Sequence, residues 1–226
     1  MTDKHLSTQF DEELKVVSAR VLEMGGLAES QVTKAFSALI NFRAHEAVLV
    51  LEREERMSAM QVDIDRVLSG IIARRQPAAR DLRSLIGFSK TVANLERIGD
   101  EAVRIARTAQ HFVDSGVSTS MQLPLADIDF IGKLAMSQLR NALDSFSRLD
   151  AAAALERLKT NKIALEFNEL MRKLTAHLME DPRATSAVVD LVLSANALER
   201  VGDHARNLYE QIVYIVNGTD GSHGPA

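Results

Sequence analysis

Apolar residues recur at steps of three and four along most of this chain, as in Met57, Met60, Ile64, Val67, Leu68 and Ile71, which is the period of a helix with one buried face. Strand alternation is not evident. The pattern breaks where Gly and Pro cluster: at Gln76-Pro77, in the polar run DSGVSTSMQLP at 114–124, at Asp181-Pro182 and in the tail GTDGSHGPA. Softer breaks near residues 43–45 and 149–150 complete six helical segments. The segments repeat. Ala38-Leu39 with Phe42 returns as Ala142-Leu143 with Phe146, Glu52-Arg53 as Glu156-Arg157, and Pro77 as Pro182, displaced by 104 to 105 residues. An internal duplication follows, and the expected fold is all-α: two pseudo-symmetric antiparallel three-helix bundles packed side by side, spanning residues 10–113 and 124–216, with 217–226 as a flexible tail.

Composition narrows this reading without changing it. Only 4 prolines and 11 glycines stand against many Ala, Leu, Glu, Arg and Lys, which favours helix. Cysteine is absent, so neither a disulfide framework nor thiolate metal ligation is expected. The N-terminus has no apolar signal region and no run of 18 apolar residues occurs, so a cytoplasmic location is expected, with any membrane association indirect, through partners. A net charge of −4, 4% aromatic residues and no Trp leave little to hold nucleic acid.

The chemistry concentrates in one repeated word. NLERIGDEA at 94–102 and NALERVGDHA at 196–205 share LER(I/V)GD, placing Glu96 with Asp100, and Glu199 with Asp203, on one helix face at i and i+4. Like charges so spaced repel. The aspartates have arginines at helical contact spacing, Arg97 and Arg104 for Asp100 and Arg200 and Arg206 for Asp203. The glutamates have none within their own helix, while extending the apolar lines of Val92 and Ala93, and of Val192 and Ala195. Such a carboxylate needs an Arg or Lys from another helix, or a bound cation. Two readings stay open: a packing and salt-bridge word, or a repeated metal site of Glu96, Asp100, Glu199 and Asp203. Oxygen-only ligation suits Mg, Mn or Fe, and the Glu-x-x-His spacing of di-iron bundles is missing. Gly99 and Gly202 form small-residue grooves with Ala102 and Ala205, and His204, pointing away from Asp203, is expected on an outer face. Arg74, Arg75, Arg80 and Arg83 flank Gln76-Pro77, where arginines either complement the end of the preceding helix or cradle phosphate near the new helix N-terminus, the former being the commoner arrangement. With no nucleophile–base pair and no GxxxxGK(S/T) loop, no catalytic machinery is visible. A metal-dependent helical phosphohydrolase using the paired carboxylates is the competing reading.

The segments RRQPAARDLRSLIGFSKTVANLERIGDEAVRIA and MEDPRATSAVVDLVLSANALERVGDHARNL resemble the PhoU family over residues 10–216. The resemblance implies a cytoplasmic, frequently homodimeric, non-enzymatic negative regulator. Such a protein acts on phosphate uptake and phosphate-starvation signalling, between the ATPase subunit of a phosphate ABC transporter and a sensor histidine kinase. It also implies that some relatives hold multinuclear iron or zinc clusters through E(D)xxxD motifs. The positions matching that motif are Glu96 with Asp100 and Glu199 with Asp203, whereas Thr160 and Ala164 stand where further acids would be expected, and the first half offers Glu54 and Ser58. No cofactor is required on this reading, with Fe, Zn, Mn or Mg as candidates at the carboxylates.

Overall fold

The computed structural model describes residues 2–116 and 123–219. The centre of the polar run, 117–122, and the tail from 220 onward lie outside the described residues. The chain is all-α, and the described residues contain no strand. The first half consists of α1 (Thr2–Asn41), α2 (Ala44–Leu51), α3 (Glu54–Arg75) and α4 (Ala79–Asp114); the second of α5 (Leu125–Arg148), α6 (Ala151–Leu158), α7 (Lys162–Glu180) and α8 (Thr185–Asn217), with a 3-10 turn at Pro182–Ala184 before α8. The expected breaks near 43, 77, 149 and 182 are present. Each middle segment carries one more, at residues 52–53 and 159–161, so that a short helix of 8 residues precedes each longer one.

These breaks have local causes. Asp150 and Asn161 cap α6 and α7 by accepting from the N–H groups of Ala153 (2.9 Å) and Ala164 (3.2 Å). Phe42, Gln76 and Leu149 adopt positive φ of 54°, 47° and 48°, the left-handed turn that glycine normally supplies at a helix end. In the first half the side-chain amide of Gln31 donates to the Arg53 carbonyl at 3.1 Å, so a neighbouring helix takes over the group released where α2 gives way to α3.

Within the first half α3 runs against both its neighbours, as Glu13 with Arg75, Asp65 with Ser89, and Glu54 with Arg107 show. The two halves then pack along two antiparallel helix pairs. On α1 and α5, Leu143 fills the space over Gly25, Glu29 meets Arg140 at 2.8 Å, and the Phe36 ring lies on Gly132. On α4 and α8, Ile215 lies on Gly87, Asn94 meets Asn207, Glu101 meets Arg200, and His111 meets Asp190. Partners descend on one helix as they ascend on the other, as around a twofold axis. One continuous core results, running from Val17 and Met24 through Ile98 and Ile105 to Leu198 and Ile212.

Candidate functional site

The LER(I/V)GD words lie in the middle of α4 and α8, the two helices that join the halves. Their apolar letters face inward: Leu95, Ile98, Leu198 and Val201 are fully buried. Gly99 lets the Met57 side chain of α3 lie on α4, and Gly202 does the same for Ile163 of α7, so the expected grooves are filled by neighbouring side chains. Glu96 and Glu199 are half-buried, while Asp100 and Asp203 are exposed.

The four carboxylates come together as two pairs and not as one cluster. Burial pushes the Glu96 carboxyl above its ordinary value, with the Asp100 charge adding to the shift; Arg97 and a hydrogen bond from Ser58 oppose it. Glu199 is raised by burial and then by Asp203. Asp203 is raised by burial against the pull of Arg206 and Arg200. Among the described residues, no Arg, Lys or His reaches any of the four within 4.0 Å. The arginines offered by helical spacing are employed elsewhere. Arg104 and Arg200 turn to Glu101, and Arg206 donates to the carbonyls of Leu158 (2.6 Å) and Thr160 (3.4 Å), fastening the α6–α7 turn. Glu54 is held by Arg107 at 3.2 Å, and on α3 the Ser58 hydroxyl faces Glu96.

The residues of this seam that sequence reasoning missed are Glu101 and its repeat counterpart His204. Glu101 is 2% exposed, ion-paired to Arg200 at 2.8 Å, with Arg104 at 3.7 Å. Its second oxygen, Oε2, is buried without a hydrogen-bond partner, and burial raises its pKa against the two arginines. His204 is not on an outer face as its spacing from Asp203 suggested: it is 8% exposed and turned into the seam between α4 and α8. There its Nδ1 lies 3.1 Å from Asn94 Oδ1, which already accepts from Asn207 Nδ2 at 2.9 Å. Since Asn94 Nδ2 donates to the Lys90 carbonyl at 2.8 Å, the oxygen assignment is fixed and His204 Nδ1 carries the proton. Burial, with Arg97 and Arg200 nearby, holds the imidazole pKa down to about 4, so it is neutral at pH 7. A usable signal was present in the sequence. Glu101 sits between Ile98 and Ile105, and His204 between Val201 and Leu208, at steps of three and four on a buried face.

The chain is a duplicated all-helical bundle with a repeated, half-exposed acidic face. The PhoU domain family matches residues 21–109 and 128–212, and the chain belongs to that family. It is 43% identical over 224 residues to a phosphate-specific transport system accessory protein PhoU homolog of Burkholderia sp, covering 99% of this chain and 95% of that protein. To the phosphate-specific transport system accessory protein PhoU of Escherichia coli K12 it is 36% identical, over 98% and 90% of the two chains. The crystal structure of PhoU from Pseudomonas aeruginosa superposes with a TM-score of 0.88 at 41% identity, covering 93% of this chain and all of that one. PhoU from Streptococcus pneumoniae, at 24% identity and a TM-score of 0.84 over 93% of this chain and 98% of that one, shares the fold. The Burkholderia and Escherichia coli relatives are accessory proteins of the phosphate-specific transport system.

Proposed function

We propose that this protein is an accessory regulator of a phosphate-specific transport system. In this reading it restrains phosphate uptake and phosphate-starvation signalling when phosphate is plentiful, working in the cytoplasm as an adaptor between the transporter's ATPase subunit and a sensor histidine kinase. The observation that carries it is the likeness to accessory proteins of that system over 98–99% of the chain. Residues 10–113 and 124–216 act as the two repeats, and the protein works as a homodimer. Deleting the gene should raise phosphate-starvation gene expression in phosphate-rich medium; unchanged expression would count against the assignment.

The repeated carboxylates belong to the same proposal as weak cation sites. Glu199 and Asp203, and Glu96 and Asp100, are oxygen donors with no cation within ion-pair distance among the described residues, and three of the four have raised pKa values, the condition a bound divalent ion relieves. The donor set fits a single hydrated Mg or Mn held by two carboxylates. It does not fit a multinuclear iron or zinc cluster, because no group of three or more His, Cys, Asp or Glu side chains converges among the described residues.

A further inference from the structure

A concavity lies where the α6–α7 turn meets α5 and α8. It encloses about 600 Å³ and opens to solvent, within the range of pockets that hold small-molecule ligands. Arg157 and Lys162 stand in its lining, both exposed. Neither has an acid within 4.0 Å among the described residues, and the acid of the lining, Glu156, is already engaged by Lys159. Lys162 and Ile163 are the first residues of α7, a helix of 19 residues, so its positive end adds to the field of the two cations.

The inner wall is different in kind. Tyr209 is 1% exposed and lines the cavity; burial raises its pKa against the nearby Arg157, so the phenol stays protonated, with only a long bond of 3.4 Å to the Gln138 carbonyl. The Gln138 amide donates to the Gly202 carbonyl at 2.8 Å, which leaves its oxygen as an acceptor on the wall. Leu134 and Ile163 supply apolar surface. The turn bearing the cations is fastened by Arg206. The corresponding first-half positions hold Arg53 and Arg56 in place of Arg157 and Lys162, but Ala106 in place of Tyr209, so the buried phenol belongs to one repeat only.

We propose that this concavity binds a small phosphorylated organic molecule, its phosphate between Arg157 and Lys162 and its organic part against Leu134, Ile163 and Tyr209. Two cations beside a helix N-terminus suit a dianion better than a carboxylate, and the volume exceeds what inorganic phosphate alone would fill. This does not depend on the regulatory assignment. The test is calorimetric titration of the full chain with adenosine 5′-monophosphate, glucose 6-phosphate, glycerol 3-phosphate, inorganic phosphate and adenosine. At least one organic phosphate should bind, at least about tenfold more tightly than inorganic phosphate or adenosine. Arg157→Ala and Lys162→Glu, both at exposed positions and checked for unchanged circular dichroism, should each weaken that binding by about tenfold or more. Lys133→Ala, an exposed charge on the same bundle, should leave it unchanged. Absence of binding by all three organic phosphates would overturn the proposal, as would inorganic phosphate binding equally well, or Lys133→Ala having the same effect as Lys162→Glu.

Discussion

Replacing Arg200 by Met keeps an apolar stem of similar length and removes the guanidinium 2.8 Å from Glu101. The carboxylate, 2% exposed, is then left with Arg104 at 3.7 Å. Removing one partner of a buried pair costs about 3–5 kcal/mol, but Arg200 is itself 47% exposed, so water already screens it and the cost falls toward the lower end. Protonation sets a ceiling. Instead of burying a bare charge the folded variant can take up a proton, at about 1.36 kcal/mol for each pH unit above the ordinary Glu value. That limits the loss to about 3.7 kcal/mol at pH 7 and about 1 kcal/mol at pH 5. The sign follows from the raised pKa of Glu101: an acid that holds its proton more tightly when folded is relieved as pH falls. Urea denaturation followed by circular dichroism should therefore show Arg200→Met destabilised by about 2–3 kcal/mol at pH 7 and by less than about 1 at pH 5. Loss of Arg200 also eases protonation of His204, in the same direction, so the cycle is repeated in a Glu101→Gln background. There the cost should become small and lose most of its pH dependence. An equal cost at both pH values in the parent background would mean that lost packing, not a stranded carboxylate, destabilises the variant.

His204, with its pKa held to about 4 against an ordinary value near 6.5, contributes stability fully present above pH 6.5 and lost as pH falls toward 4. Between pH 7 and pH 5 the parent should thus lose about 2 kcal/mol relative to His204→Gln in the same denaturation assay. Glu199→Gln with Asp203→Asn should raise stability at pH 7 by a few tenths of a kcal/mol, about the repulsion of an i, i+4 pair. That advantage should vanish in acid as the parent's raised carboxyls protonate, and millimolar Mn should raise the melting temperature of the parent more than that of the variant, which keeps Glu96 and Asp100; equal shifts would place the ion elsewhere. A methyl at Gly132 would overlap the Phe36 ring, whereas one at Gly26 meets nothing within 4 Å. Gly132→Ala should destabilise, overpacking of about 1–3 kcal/mol exceeding the helix gain of about 1, and Gly26→Ala should stabilise by about 0.5–1 kcal/mol; the opposite order in thermal melts would contradict the packing described.

The repeat and the breaks at Pro77 and Pro182 were legible because proline punctuates a helix whatever surrounds it. The breaks at 43 and 149 were fainter because Phe42 and Leu149, not glycines, take the left-handed turn. The break at 159–161 had a readable cap in Asn161. The one at 52–53 had none, since its carbonyl is satisfied from Gln31 on another helix. The same division runs through the site. Spacing correctly placed Glu96 with Asp100 and Glu199 with Asp203, because i, i+4 geometry is a property of one helix. It could not foresee that Arg200 would leave its neighbouring Asp203 for Glu101, a residue 99 positions away in the chain, because a pairing across helices is decided by tertiary packing. His204 was misplaced by its angle from Asp203, when the residues before and after it on its own stripe were the better guide.

The antiparallel ladders that join α1 to α5 and α4 to α8 bear on the stoichiometry of recognition. A body built around a twofold axis presents each of its faces twice, the second turned by half a revolution, so a partner that reads the LER(I/V)GD surface meets two docking positions on a single chain. Those positions have diverged: one is backed by Glu54 held to Arg107 and by Ser58, the other by Thr160 and Ala164 and the cationic concavity beside them. The molecule is bivalent in its architecture, and its two faces differ in the side chains that back them.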